Sequence, residues 1–121
     1  MFDHIGLKVS DIAASARFFA AALEPLGLVP GPGDEASASF GPPGAPALWL
    51  GHGKVRNGVH IAFTSPTRAA VEAFHVRGLA AGGRDNGPPG LRPDYGPTYF
   101  AAFLIDPDGN NVEAVCHEET R

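Results

Sequence analysis

The sequence contains one cysteine, one methionine and one tryptophan in 121 residues. Cys116 has no partner for an internal disulfide, which fits a reducing compartment. Its apolar surroundings predict a small buried strand residue rather than a catalytic thiol. Basic residues are also scarce: nine Lys and Arg against 13 Asp and Glu leave a net charge of −4. That balance argues against nucleic acid or an anionic membrane as partner, since both need a basic surface. No apolar run approaches the roughly 18 residues of a membrane span. The opening Met1-Phe2-Asp3-His4 lacks the basic and apolar regions of a signal peptide, so a cytoplasmic location is predicted. What remains is an ordinary globular composition, 44% apolar. Its length suits a single domain over residues 1–121, or two small halves sharing one core.

The sequence matches itself at an offset of 56 residues. His4-Ile5 falls on His60-Ile61, Ala13-Ala14 on Ala69-Ala70, Phe18 on Phe74, Leu23 on Leu79 and Gly27 on Gly83. Alanine matches arise from composition, but histidine, phenylalanine and two glycines in register point to a duplicated unit. In the first unit His4–Val9 alternates like a half-buried strand. Ser10-Asp11 offers N-cap oxygens, and Ile12–Leu26 places Phe18, Phe19, Ala22 and Leu23 on one helical side. Gly27 stops that helix. Strands are expected around Leu28–Val29, Ala36–Phe40 and Ala47–Leu50. In the second unit a strand over Val59–Thr64 precedes a helix over Arg68–Arg77. A possible strand at Ala80–Arg84 gives way to a Gly/Pro-rich loop through Gly96. Strands over Tyr99–Ile105 and Asn111–His117 flank the turn Asp106-Pro107-Asp108-Gly109, in which proline fixes φ and glycine accepts a positive one. Both halves, about 1–57 and 58–121, therefore read β-α-β-β-β, an α+β protein whose two units share an interface.

His4 and His60 begin matching strands, so a pseudo-twofold axis would bring them together. Glu113 lies in a last strand whose neighbours are apolar on both faces, where a lone carboxylate is costly. Two imidazoles and a carboxylate would bind a divalent cation and leave positions open for substrate or water. The plainer alternatives are a capped or exposed strand-initial histidine and a solvent-facing or salt-bridged glutamate. The residues alone leave both open.

Asp3-His4-Ile5-Gly6-Leu7-Lys8-Val9-Ser10-Asp11 resembles the opening strand of the vicinal-oxygen-chelate superfamily, the glyoxalase, bleomycin-resistance and extradiol-dioxygenase group. Phe103-Leu104-Ile105-Asp106-Pro107-Asp108-Gly109-Asn110-Asn111-Val112-Glu113 resembles its closing hairpin. The resemblance implies two βαβββ modules in an incomplete barrel around a divalent ion (zinc, Fe(II), manganese or nickel), with His4, His60 and Glu113 as ligands. It also implies a homodimer, in line with the incomplete closure of a half-barrel. Glyoxalase I of the usual kind has a fourth protein ligand at the end of the first module. Aligning Pro46–Leu50 with Asn111–Val115 puts Leu48 opposite Glu113, and leucine cannot ligate. The resemblance thus implies a metal-dependent enzyme of lyase, isomerase or dioxygenase type, acting on a small molecule with vicinal oxygens. Fosfomycin modification is disfavoured, because Ala101 and Phe103 stand where that class offers hydroxyls. The alternative is a small-molecule or antibiotic sequestering protein of the bleomycin-resistance type.

Further residues invite roles in such a site. Tyr99 shares a strand face with Ala101 and Phe103 and would serve as acid/base or substrate contact. Arg92 and Tyr95, in the loop 82–96, would meet an anionic or phenolic substrate. Trp49 and Phe40 would line a cavity, although core packing is their ordinary use. His52 and His117 read as exposed, and His75 as facing solvent or a helix–sheet edge.

Overall fold

The structure is a computed structural model that describes residues 3–54 and 58–119. The element order is β1 (Ile5–Val9), α1 (Ile12–Leu23), β2 (Val29–Pro30), β3 (Ser37–Gly41), β4 (Leu48–His52), β5 (His60–Thr64), α2 (Arg68–Ala80), β6 (Arg84–Leu91), β7 (Phe100–Ile105) and β8 (Asn111–Cys116). Both helices start on the same chemistry. The Asp11 carboxylate accepts from the Ala14 backbone N–H at 3.1 Å, and the Thr67 hydroxyl accepts from that of Ala70 at 3.0 Å. α1 tightens into a 3-10 turn over Glu24–Leu26, where Pro25 cannot continue the α-helical ladder, and ends at Gly27 with φ of 84°. No helix among the described residues is long and apolar enough to cross a membrane.

Two mixed four-stranded sheets result, ordered β1-β4-β3-β2 and β5-β8-β7-β6. In each, the first strand runs parallel to the last strand of its module, and the other pairs are antiparallel. This is the duplicated βαβββ unit that the internal repeat predicts. The boundary expected at 57/58 falls beside residues 55–57, which lie outside the described residues. Alternation sorts each strand into two faces. Leu7, Val9, Phe40, Leu48 and Leu50 of the first sheet, and Ile61, Leu104, Val112, Ala114 and Cys116 of the second, join Phe18, Phe19, Phe74 and Val71 of the helices in one core. Cys116 is a buried strand residue, as expected. The helices pack on each other as well as on the sheets. Gly78 lets α2 close on β7: a Cβ there would lie 2.2 Å from Leu104 Cδ1, but at an ordinary 3.4 Å from Ala22 Cβ of α1. Its repeat-related partner on the facing helix is Ala22, a residue only slightly larger.

Two sequence expectations need correction. The segment expected to be a loop from 84 onward is strand β6 through Leu91, while Ala80 still belongs to α2. Glycine and proline hid this strand, yet both are tolerable here. β6 is an edge strand, so Pro88 and Pro89 need no outer partner, and its register with β7 slips between Asp85 and Gly90. The second correction concerns the residue opposite Glu113 in the repeat. Gly6 pairs with Trp49, and its counterpart Ala62 pairs with Glu113. Trp49, not Leu48, therefore occupies the matching place. The sequence alignment was shifted by one residue, which in a strand exchanges the faces.

The turn before β8 fixes the register of the second sheet. Asp106 is buried, and its Oδ1 accepts from the backbone N–H groups of Asp108 (3.0 Å) and Asn110 (2.7 Å). Its Oδ2 accepts from Asn110 Nδ2 at 2.8 Å, and Asn110 Oδ1 accepts from the Val59 backbone N–H at 3.0 Å. One carboxylate thus ties the turn to the residue before His60. Asp108 reaches the other module, where it accepts from the Ser10 backbone N–H at 3.1 Å. We expect Asp106→Ala to lower unfolding free energy by about 2–4 kcal/mol, because two backbone donors and an amide lose their acceptor. Urea denaturation with an unchanged slope checks this. A loss below about 0.5 kcal/mol would show that the turn is held by other means.

Candidate functional site

Glu113 is the anomaly of the second module. It lies in β8 between Val112 and Ala114, in an interior strand buried on both faces, and is 3% exposed. Val112, Ala114 and Cys116 point to the helices, so Glu113 projects from the opposite face. Across the sheet it pairs with Ala62 of β5 on one side and Phe103 of β7 on the other. Small Ala62 leaves room beside the carboxylate, and His60, two residues earlier on the same face, reaches into it.

Both carboxylate oxygens are engaged. Oε1 is 3.0 Å from His60 Nε2. Oε2 accepts a hydrogen bond from the Tyr99 hydroxyl. Burial, together with the hydrogen bond to Glu113 and its negative charge, pushes the Tyr99 hydroxyl up to about 12. Tyr99 is therefore a proton donor at neutral pH, not a base. The imidazole of His60 stacks on the Phe103 ring, 6.4 Å between centroids at 27°. Tyr99 is itself met edge-on by Tyr95 at 5.3 Å and by His117 at 5.2 Å. His60, Tyr95, Tyr99, Phe103, Asn111 and Glu113 line an open-sided pocket of about 560 Å³.

The remaining expected site residues are placed as follows. Arg92 lies beside the pocket, its guanidinium carbon 5.4 Å from the Phe103 ring centre. Ala101 is on the same face but fully buried, and it does not line the pocket. Trp49 lies in the first sheet, paired with Gly6 and Ser39, away from this pocket. His4 precedes β1, exposed, with Nδ1 2.8 Å from Asp3 Oδ1. It borders a separate groove of about 690 Å³ with Leu48, Phe40 and the Ile61–Pro66 segment, so the chain does not bring it to His60 and Glu113. Among the described residues no three His, Cys, Asp or Glu side chains gather around one point. Phe40 is core and His52 is exposed at the end of β4. His75 is a helix–sheet edge residue, 8% exposed, with Nε2 2.8 Å from Asp85 Oδ1.

One pocket residue is not marked out by the sequence. Asn111 opens β8, shares the face of Glu113 and pairs across from His60. His117 is exposed, as expected, and meets Tyr99 without lining the pocket. The hydroxyl of Tyr99 stabilises the fold below its ordinary pKa of 10.0, and that contribution is lost as pH rises through about 12. Tyrosinate absorbance that disappears in Tyr99→Phe should develop only near pH 12. A midpoint near 10 would show that the bond to Glu113 is absent in solution.

The site is built on a fold shared with known proteins. Residues 4–115 match the model of the glyoxalase-like domain. A glyoxalase/bleomycin resistance protein from Albidiferax ferrireducens T118 is 29% identical, with 96% of this chain and 98% of that one covered and a TM-score of 0.81. A glyoxalase-related enzyme from Fulvimarina pelagi is 22% identical over 93% of this chain and 84% of its own, with a TM-score of 0.72. Lactoylglutathione lyase from Agrobacterium tumefaciens is 21% identical over 96% and 92%, with a TM-score of 0.65. The last two likenesses concern the fold alone. No curated protein sequence matches this one. With a family match spanning nearly the whole chain and the paired βαβββ modules behind it, the chain belongs to the glyoxalase-like domain family.

Proposed function

We propose that this protein is a metal-dependent enzyme acting on a small molecule with vicinal oxygens, as a lyase, isomerase or dioxygenase. The observation that carries the reading is the convergence of His60 Nε2 and Glu113 Oε1, 3.0 Å apart in a pocket wide enough for a small substrate. An imidazole nitrogen and a carboxylate oxygen are donors that suit zinc, Fe(II), manganese or nickel. Tyr99 on the far oxygen fixes the orientation of the carboxylate, as outer partners of metal ligands do. A divalent ion held there would supply Lewis acidity toward two substrate oxygens. The protein's own part is to bind the substrate against Phe103 and Tyr95 and to keep a proton on Tyr99 Oη for a developing oxyanion. Neither Leu48 nor Trp49 can add a fourth ligand, which speaks against the usual glyoxalase I arrangement.

The third ligand is His4, supplied by a second copy of the chain. Within one chain His4 lies on the other groove, so a homodimer that sets the first module of one copy against the second module of the other would complete each site. Mixing variants tests this without any substrate. His4→Ala and His60→Ala protein should each lose bound metal, measured by elemental analysis of material purified without chelator. The heterodimer formed between them should regain one metal per pair, because one of its two sites has all its ligands. No regained metal in a verified heterodimer would contradict a shared site. No metal in the unmodified protein would contradict metal dependence altogether.

A second reading has its own support. Both oxygens of Glu113 already have partners within the chain, so the carboxylate is satisfied without any ion. A sequestering protein that binds a planar or peptide antibiotic against Phe103, Tyr95 and Tyr99 would need no more. Thermal shift by such a ligand in metal-free protein, unchanged by His60→Ala, would select this reading over the enzyme.

A further inference from the structure

We propose that Arg92 forms an oxyanion subsite beside the His60–Glu113 pair, so that the pocket selects small molecules carrying a carboxylate or similar anionic group. This rests on the pocket being the ligand site. Arg92 follows β6, and its backbone N–H donates to the Tyr99 carbonyl at 2.8 Å, extending the pairing of Leu91 with Phe100. Phe100 packs toward the helix-side core, so the next pair, Arg92 with Tyr99, projects to the face that carries Glu113. Both residues do reach that face: Tyr99 bonds Glu113, and the guanidinium lies over Phe103.

The strand beneath is shaped for this side chain. A Cβ at Gly87 would sit 3.2 Å from Arg92 Nη2, and one at Gly90 would sit 3.2 Å from Nη1. Glycine at both places gives the planar group a flat bed on the edge strand, and Nη2 donates to the Pro88 carbonyl at 2.6 Å to hold it there. The ion pairs among the described residues are His4 with Asp3, His60 with Glu113, His75 with Asp85 and Arg77 with Glu24. None includes Arg92. A guanidinium has five N–H donors, so most of its fork is open to a ligand, and that fork matches a carboxylate in two parallel bonds. Phe103 touches the His60 imidazole and the Arg92 guanidinium alike, so a ligand lying across that ring reaches both. Glu113 would repel an anionic ligand from this pocket; Arg92 is the charge that reverses the preference at its far end.

Calorimetric titration of the full chain with 3,4-dihydroxybenzoate and with catechol tests this, because the two differ only by the carboxylate. The unmodified protein should bind the carboxylate compound about 10- to 100-fold more tightly, the range for a charge-assisted bond. Arg92→Gln should bring the ratio close to one, and Arg92→Lys should leave it intermediate. Gly90→Leu, which crowds the guanidinium off its bed while keeping the charge, should also reduce it, and serves if Arg92→Gln proves unstable. His60→Ala should weaken both compounds while preserving their ratio. No preference in the unmodified protein, or a preference that survives Arg92→Gln, would overturn the subsite. Unchanged affinity for both compounds in His60→Ala would instead count against the reading of the pocket as the His60–Glu113 site.

Discussion

A carboxylate sits inside an apolar strand, and the second module is arranged to keep it there. Glu113 is flanked by valine and alanine, faces away from the helices, and is met by His60 of β5 and by Tyr99, just before β7. Leaving that group unpaired would cost several kcal/mol. Its partners are therefore part of the fold as well as part of the site. His60 can meet it only if β5 and β8 are in register, and Asp106 and Asn110 set that register through the Val59 backbone. Tyr99 can meet it only where the turn after β6 delivers the chain into β7.

The two modules share a backbone plan but not its chemistry. Where the second has Glu113 the first has Trp49, and where the second has Phe103 the first has Ser39, both read from equivalent pairings. His4 repeats His60 in sequence without sharing its surroundings. The duplication therefore provides one pocket with an acid, an imidazole and a phenol beside a guanidinium, and a second groove whose histidine meets the exposed Asp3 but no counterpart of Glu113. This asymmetry is what motivates the proposed sharing of a site between two copies: the first module holds the other histidine but has Trp49 in the place of Glu113.

Most of the architecture was legible because the repeat and the strand alternation are local. The capped helix start at Asp11, the stop at Gly27 and the buried face of α1 all follow from short-range patterns. Glu113 stood out for the same reason, as a charge with apolar residues on both sides. What escaped depended on long-range register. β6 was hidden because glycine and proline are read as breakers unless the strand is known to lie at an edge. The residue opposite Glu113 was misplaced by one position because no turn of known length anchors β4 in the sequence. Arg92 and Tyr95 were visible as candidates, but only as members of a loop; their approach to Phe103 and Tyr99 comes from the β6–β7 pairing. The separation of His4 from His60 within one chain is a matter of how the modules sit, which pattern alone does not encode.

The central claim is that His60 and Glu113 form two corners of a divalent-metal site. Anomalous scattering from crystals grown with manganese addresses it directly. The account predicts one peak per chain, within bonding distance of His60 Nε2 and Glu113 Oε1, with His4 of a second copy approaching the same ion. Crystals that contain manganese but show no peak at this pair, or a peak only at other surface carboxylates, would contradict it.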